Sequence, residues 1–193
     1  MPGSHAHVVG GSLAGRRLRS PANGTRPATA IVRSSIFDRP AIRDIVEHAR
    51  VVDLYAGAGY LGIEALSRGA ESVDFVERNG AACAVIRRNL EELGLTWHAR
   101  VHRLPVERCF SRIRLDPDLI FIDPPYRVDA LPVIEELSRR ASFPEGALAV
   151  WRRQIRASGG LPPPPERIGG LVRIDQRRYG DGAIDTYRAE AST

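Results

Sequence analysis

Residues 51–69 constrain the fold of this chain more than any other stretch. An apolar run at 51–55 predicts a buried strand, and the loop after it carries Gly57, Gly59 and Gly62 in the spacing G-x-G-x-x-G before a predicted helix. A strand, a glycine loop and a helix in this order bring a ligand against backbone N–H groups at a helix N-terminus. The glycine spacing alone is a weak signal, so the rest of the chain has to support it.

Strands and helices alternate along the chain, which is typical of a parallel sheet with helices on both faces. Further strands are predicted at 72–76, 100–104, 118–122 and 147–151, followed by a hairpin of 172–174 and 184–187 with a long turn at 179–182. Other helices are predicted from about 25 up to 40, at 41–49, at 81–93, at 106–113 and around 131–137. Ile31, Ile36 and Phe37 are expected to share one face of the first of these.

Three residues stand at the carboxyl ends of predicted strands. Gly57 follows the first strand, Glu77 follows the second and Asp123 follows the fourth. Because ligands in such sheets bind beyond the carboxyl ends of the strands, these residues are expected to converge on one crevice. An acid at the position of Glu77 can accept both ribose hydroxyl hydrogens of a nucleotide-like ligand. The alternative for Glu77 is a solvated acid at the end of a strand.

The sequence Asp123-Pro124-Pro125-Tyr126 forms a rigid platform after the fourth strand. Neither proline has an N–H group, so the backbone offers only carbonyl acceptors. An acidic oxygen, a carbonyl and a flat ring together suit a planar group with an N–H₂ edge, such as a nucleobase amino group. A Pro-Pro turn that closes a strand is the alternative. The expected convergence with the glycine loop favours the functional interpretation.

The net charge is concentrated at the N-terminus. All 28 basic residues are arginine, which genome composition is enough to explain. Residues 1–33, however, hold five arginines and no acid, whereas residues 34–193 hold 23 arginines and 23 acids. The whole net charge of +5 therefore lies in the first segment. An acid-free basic arm on a neutral body is typical of a nucleic-acid binder, and a merely soluble tail is the alternative.

Composition argues against several other classes of protein. No apolar run approaches the roughly 18 residues of a membrane span, and the N-terminus lacks the apolar segment of a secretion signal. Cys83 and Cys109 lie in predicted helices without metal-like spacing and are expected to be reduced. We expect a cytoplasmic protein without a metal or a membrane contact, and its small size favours a monomer.

Several sequence blocks together carry a family resemblance. D-P-P-Y at 123–126 and the D-x-x-A-G-x-G loop at 53–59 are similar to those of class I S-adenosylmethionine-dependent amino-methyltransferases. The likeness is narrowed by V-V-G-G-x-x-x-G-R-R-L at 8–18, T-R-P at 25–27, V-R-x-x-I-F at 32–37, D-L-Y-A-G-A-G-Y-L-G-I-E-A-L-S-R-G-A at 53–70 and F-V-E at 75–77. From about residue 7 to 188 the chain resembles the RsmD family of bacterial small-subunit (16S) rRNA guanine-N2 methyltransferases.

The resemblance implies an α/β, Rossmann-like class I methyltransferase fold. Its sheet would be mostly parallel and seven-stranded, with a C-terminal antiparallel hairpin. A basic RNA-binding arm at 1–40 would precede a methyltransferase domain at 41–193. The resemblance also implies S-adenosyl-L-methionine lying over Gly57 and Gly59, with its ribose on Glu77. The remaining residues assigned to this cofactor site are Asp53, Tyr55, Ala56 and Arg78.

The same resemblance implies that the substrate is a guanine of small-subunit rRNA, either naked or in a ribosomal assembly intermediate. The base would be flipped out of its stack against Tyr126. The oxygens of Asp123 and of the Pro124 carbonyl would hold its amino group, and Pro125 completes the catalytic set. The phosphate contacts would come from Arg16, Arg17, Arg26 and Arg33.

This chain departs from the family pattern at three places. Leu104-Pro105-Val106 replaces an acid or amide after the third strand, Trp151-Arg152-Arg153 replaces a glutamate near the end of the fifth, and His7 stands where arginine is frequent. Two alternatives stay open: an amino-methyltransferase acting on another RNA or DNA base, and a non-catalytic RNA-binding or assembly factor that retains the fold. The identity of the modified nucleoside distinguishes the first alternative from an rRNA guanine-N2 methyltransferase. Cofactor binding distinguishes the second alternative from either enzyme.

Overall fold

The computed structural model describes residues 6–20, 28–113, 115–125, 128–155 and 163–190. Its strands are β1 (Ala6–His7), β2 (Arg17–Leu18), β3 (Arg50–Leu54), β4 (Ser72–Glu77), β5 (Ala99–Arg103), β6 (Leu119–Ile122), β7 (Leu148–Gln154), β8 (Arg167–Ile168), β9 (Leu171–Tyr179) and β10 (Gly182–Ala189). Its helices are α1 (Ala30–Phe37), α2 (Pro40–Val46), α3 (Tyr60–Ser67), α4 (Gly80–Leu93) and α5 (Leu131–Arg140), with short 3₁₀ helices at Thr96–His98 and Val106–Ser111.

One large sheet organises the molecule. Its strand order is β5-β4-β3-β6-β7-β10-β9-β8, and the pairs from β5 to β7 are parallel. From β7 to β8 the pairs are antiparallel. The chain order reverses between the neighbours β3 and β6, which is the point where open α/β sheets bind ligands. The predicted fold class, a mostly parallel sheet with a C-terminal hairpin, is confirmed.

The sheet differs from the prediction in three details. It has an eighth strand, the two-residue β8, which is too short to show an apolar alternation. The expected long hairpin turn is wrong, because β9 and β10 are joined by Gly180 and Asp181 alone. β9 continues through exposed polar residues, so the hydrophobic pattern did not show where this strand ends.

Outside the sheet, the predicted helix at 106–113 is a 3₁₀ helix.

Helices cover both faces of the sheet. Successive residues of a strand point to opposite faces, so Val51 and Val52 enter different core clusters. The cluster of Val51 also holds buried side chains from α1, α2, α3 and α4. The cluster of Val52 holds those of α5 and of the Val106–Ser111 3₁₀ helix. This two-faced burial explains why the parallel strands read as continuous apolar runs.

The core continues across the predicted boundary at residue 40. Ile36 and Phe37 of α1 are buried, and the Phe37 ring centroid lies 5.4 Å from that of Phe121 in β6. The expectation that Ile31 shares this buried face is wrong, since Ile31 is 76% exposed. Five residues of α-helix turn the side chain by about 140°, which separates Ile31 from Ile36.

The start of the first helix is set by its cap. The predicted start at 25–27 lies outside the described residues. Within them, α1 begins at Ala30, and the Thr29 hydroxyl accepts the Val32 N–H at 3.3 Å.

Cys83 and Cys109 are buried free thiols. None of the helices in the described parts of the chain has the length and apolar character to cross a membrane.

Candidate active site

Three acids meet at the carboxyl edge of the sheet, around the reversal between β3 and β6. Asp53 lies in β3, Glu77 ends β4 and Asp123 follows β6. The Asp123 N–H donates to the Leu54 carbonyl at 3.4 Å, which extends the pairing of β3 and β6 by one residue. The negative charges of Asp123 and Glu77 both raise the pKa of Asp53. The structure thus brings Glu77 and Asp123, which the sequence placed at strand ends, to the same edge of the sheet, with Asp53 in the strand between them.

The glycine loop between β3 and α3 is held by two of these acids. The Gly57 N–H donates to a Glu77 carboxylate oxygen at 2.9 Å, and the Gly62 N–H donates to Asp53 at 3.0 Å. Gly57 and Gly59 have positive φ angles of 56° and 77°, which glycine adopts without strain. A Cβ at Gly62 would lie 2.3 Å from the Phe75 ring, so only glycine lets α3 approach β4 this closely.

Asp53 is 1% exposed, and burial raises its pKa well above the ordinary value. The hydrogen bond from Gly62 opposes this shift, whereas the charges of Asp123 and Glu77 add to it. Asp53 therefore holds the loop in place, because it accepts a hydrogen bond from the first turn of α3. The geometry shows no bond from the Asp53 side chain to any other described residue.

Tyr55 lies between β3 and the glycine loop in an unusual conformation. Its φ angle is 59°, a region that non-glycine residues rarely adopt. Its hydroxyl oxygen is buried and has no hydrogen-bond partner in the described part of the chain. Burial, then the charge of Glu107, raises the pKa of Tyr55 to about 12. Backbone strain and an unpartnered buried hydroxyl next to a glycine loop are features that cluster at ligand sites.

Glu77 has both carboxylate oxygens bonded to the backbone and still has acceptor capacity. One oxygen accepts the Gly57 N–H and the other accepts the Asn79 N–H at 2.7 Å. A carboxylate has about four acceptor sites, so one on each oxygen remains for a ligand hydroxyl. The adjacent Ala56 N–H bonds to the Val76 carbonyl at 3.1 Å, and Arg78 is exposed.

Asp123 has one charged partner. The Arg152 Nε of β7 donates to Asp123 Oδ1 at 2.5 Å, and the two side chains are 20% and 16% exposed. Burial raises the pKa of Asp123 above its ordinary value, and the charge and hydrogen bond of Arg152 lower it. Among the described residues, none donates a hydrogen bond to the second oxygen, Oδ2.

The two prolines after Asp123 are half-buried. The Pro125 carbonyl accepts the Val128 N–H at 2.9 Å, whereas the Pro124 carbonyl accepts no bond from the described residues. The predicted stacking residue, Tyr126, lies outside the described residues. Within the described part of the chain, Asp123 Oδ2 and the Pro124 carbonyl are therefore two platform oxygens without a donor.

The chain is similar to a known protein family and to curated members of it. A family model described as "Conserved hypothetical protein 95" matches residues 6–188. The chain belongs to this family. Among curated proteins it is similar to "Putative rRNA methyltransferase YlbH" of Bacillus subtilis, with 35% identity over 94% of this chain and 97% of the relative. It is 30% identical to "Ribosomal RNA small subunit methyltransferase D" of Escherichia coli K12, over 88% of this chain and 89% of the relative.

A solved structure of a family relative has the same architecture. "Putative methyltransferase yhhF from Escherichia coli" superposes with a TM-score of 0.84 at 28% identity, covering 98% of this chain and 100% of that one. The predicted resemblance to the RsmD family is confirmed. Because the match runs over nearly the whole of both chains, it includes the N-terminal arm and the C-terminal hairpin.

In the present protein, the N-terminal arm packs on α3 through a buried acid that the sequence analysis did not identify. Glu64 is fully buried, and one of its oxygens accepts the Val9 N–H at 2.6 Å and the Arg33 Nε at 3.2 Å. Its other oxygen pairs with Arg68. Arg33 also donates to the His7 carbonyl at 2.7 Å, so one guanidinium links the arm, α1 and α3.

The glycines of the arm fit against the end of α3. Gly11 has a φ of 79°, and a Cβ there would lie 1.9 Å from the Ser67 carbonyl oxygen. The Ser67 hydroxyl donates to the Gly10 carbonyl at 2.6 Å and accepts the Leu13 N–H at 3.0 Å. These contacts explain the block V-V-G-G and the serine within the 53–70 block. Glu64 and Ser67 lie in that block, but nothing local in the sequence reveals their partners.

The arginines predicted to contact phosphate fall into three groups. Arg16 and Arg17 are exposed, and Arg16 donates to the Glu92 carbonyl at 2.9 Å. Arg26 lies outside the described residues. The prediction for Arg33 is wrong, because its side chain is 2% exposed and its guanidinium is used inside the fold. A buried cation whose donors are taken by Glu64 and carbonyls is out of reach of a phosphate.

Proposed function

We propose that this protein transfers a methyl group from S-adenosyl-L-methionine to the exocyclic N2 amino group of a guanine in small-subunit rRNA. The observation that carries the proposal is the pair of oxygens on the D-P-P-Y platform that accept no hydrogen bond from the described residues, at the same edge of the sheet as the glycine loop. Two curated relatives that match most of this chain are named as rRNA methyltransferases, which supports the reaction and the class of RNA.

The residues around the glycine loop fit S-adenosylmethionine, which supplies an electrophilic methyl carbon on a sulfonium. Glu77 retains acceptor capacity for two ribose hydroxyls, and Gly57 and Gly59 allow close approach to the backbone. The unpartnered Tyr55 hydroxyl is available as a polar contact within the same crevice. Asp53 supports the loop from below through Gly62. Ala56 and Arg78 border this site.

The platform would act on the amino group by positioning. The N2 lone pair of guanine is delocalised into the ring and is a poor nucleophile. If Asp123 Oδ2 and the Pro124 carbonyl accept the two N–H bonds, the lone pair is directed out of the base plane towards the methyl carbon. Transfer would form the N–C bond as the C–S bond breaks, so the sulfonium would leave as a neutral thioether and the nitrogen would become positive. The Asp123 carboxylate would stabilise that charge. The nitrogen would then release one proton to the surrounding water.

The RNA contacts are proposed from exposure and charge. Arg16 and Arg17 present cations on the arm, and Arg26 and Tyr126 keep their predicted roles as a phosphate contact and a stacking ring. Attraction to phosphate supplies most sequence-independent affinity for nucleic acid, so a basic arm suits a large rRNA substrate. With rRNA or a ribosomal assembly intermediate as its partner, we expect the protein to act in the cytoplasm and as a monomer.

The proposal is tested by incubating the protein with methyl-labelled S-adenosylmethionine and either naked small-subunit rRNA or small-subunit particles. We expect label in the rRNA, with transfer RNA and duplex DNA as matched controls that remain unlabelled. Calorimetry with the cofactor is run in parallel. Binding without label in rRNA would indicate a different nucleic acid, and no binding would indicate an RNA-binding protein that has lost the enzyme activity.

A further inference from the structure

The end of β7 places a cation directly against the platform. Ile122 of β6 is in register with Trp151 of β7, so Arg152 stands beside Asp123. The ladder with β10 fixes Arg152 from the other side, through its pairing with Ile184. The resulting ion pair is held by two neighbouring strands of one sheet, unlike surface pairs between flexible side chains.

The contact engages one side of the Asp123 carboxylate. Arg152 Nε donates to Oδ1 at 2.5 Å, which leaves Oδ2 as the oxygen without a donor among the described residues. A carboxylate fixed at one oxygen cannot rotate freely, so the direction of the other oxygen is set. Asp123 must also be ionised for Oδ2 to accept an N–H. Because Arg152 occupies Oδ1, a proton on the carboxyl would lie on Oδ2 and would make that oxygen a donor.

We propose that Arg152 is a positioning residue that holds Asp123 as an oriented, charged acceptor for the amino group of the target base. This inference rests on the proposed function for its biological meaning, although the ion pair itself does not. An acid in place of Arg152 would instead add a fourth negative charge to those of Asp53, Glu77 and Asp123.

The charges around Asp123 make the effect of Arg152 predictable in sign. β3 contributes Asp53, and β4 contributes Glu77 beyond it, both acids; β7 contributes Arg152, the cation bonded to Asp123 among the described residues. Burial already raises the pKa of Asp123, and Arg152 opposes that shift. Removing the cation therefore raises the pKa further, and the active carboxylate is lost at a higher pH as the pH falls.

The first test measures this titration without cofactor or RNA. Asp123 is followed by NMR of carboxyl-¹³C-labelled aspartate in the wild type, Arg152→Gln and Arg152→Lys, with Asp123→Asn to assign its signal. We expect the midpoint to rise by about one pH unit or more in Arg152→Gln, the usual size of a neighbouring charge's effect, and to return most of the way in Arg152→Lys. A midpoint that is the same in all three proteins would overturn the proposal.

The second test uses single-turnover methyl transfer as a function of pH. In Arg152→Gln, the fall of the transfer rate on the acidic side should occur at higher pH than in the wild type, while cofactor affinity should change by no more than several-fold. In Arg152→Lys, this fall should return to the pH at which it occurs in the wild type. Arg178→Gln, on an exposed part of β9, removes the same charge and should leave the profile unchanged. If Arg152→Gln were faster than the wild type at every pH, Arg152 would be an inhibitory contact, and the proposal would be wrong. An inactive wild type with the expected NMR shift would instead refute the proposed function alone.

Discussion

The docking site of the arm and the carboxyl edge of the sheet each contain an acid paired with arginine, but the two acids differ in burial and in the number of their partners. Glu64, under the arm, is fully buried and has three donors, from Val9, Arg33 and Arg68. Asp123, at the edge, is 16% exposed and has a single side-chain partner among the described residues, Arg152. Both oxygens of Glu64 accept hydrogen bonds within the protein, whereas Oδ2 of Asp123 has no donor among the described residues.

In the proposed function, this difference separates the structural charge of Glu64 from the functional charge of Asp123. A buried charge costs several kcal/mol of desolvation unless partners compensate it, so a fold that only needs a link between two elements saturates its acid. A site that must accept hydrogen bonds from a substrate leaves acceptors unpaired until the substrate arrives. Among the described residues, Asp123 Oδ2 and the Pro124 carbonyl have no donor, and both follow β6 at one edge of the sheet.

The distinction between the two acids would fail most clearly if Asp123 proved structural. We expect Asp123→Ala to reduce methyl transfer by at least about a hundredfold, since it removes an electrostatic contact to the reacting nitrogen. Cofactor binding should stay within several-fold, because Glu77 and the glycine loop are untouched. Single-turnover transfer and calorimetry measure the two effects. A hundredfold weaker cofactor affinity would show that Asp123 belongs to the cofactor site instead.

The opposite outcome is expected at the arm. Glu64→Gln leaves Arg33 and Arg68 without a countercharge, and we expect it to lower the free energy of unfolding by about 3–5 kcal/mol. Urea denaturation measures this, with Glu91→Gln on the exposed side of α4 as a control that changes stability by less than about 0.5 kcal/mol. Cofactor affinity per folded molecule should be nearly unchanged. A variant with wild-type stability and no cofactor binding would erase the distinction between the two regions.

The smallest effect concerns the outer surface of the arm. Replacing Arg16 and Arg17 by glutamine should weaken rRNA binding and reduce the slope of log affinity against log salt by about 0.7 for each phosphate that the arm no longer neutralises. Arg139 and Arg140 of α5, which pair with Glu136, give a control double variant of equal charge change. Equal slopes for the two double variants would remove Arg16 and Arg17 from the RNA interface.

The edge of the sheet could be predicted from the sequence because its signals are local. Apolar runs marked the strands, and the topology of parallel sheets placed Gly57, Glu77 and Asp123 together at their carboxyl ends. The arm could not be predicted in the same way. Val9 and Glu64 are 55 residues apart, and no periodicity connects them. Arg33 was expected on the surface for the same reason, since its countercharge lies in another element.

Arg152 shows a further limit of sequence reasoning. The residue was noted only as a departure from a family pattern, and its partner is 29 positions away. Only the register between β6 and β7 shows that the substitution brings a cation to Asp123. The adjacent Arg153 points to the other face and bonds to the buried Asp185 at 2.7 Å, so two neighbouring arginines have unrelated partners.

The identity of the methylated nucleoside tests the role of the platform without any variant. Small-subunit rRNA that has been methylated by the protein is digested to nucleosides and analysed by mass spectrometry against standards. Acceptor oxygens on Asp123 and Pro124 require a substrate with an N–H₂ edge, which adenine, cytosine and guanine all have. With guanine as the proposed substrate, we predict N2-methylguanosine. A methyl group on a ring carbon, a ring nitrogen or a ribose oxygen would contradict the role of the platform, because none of these atoms offers two N–H bonds to it.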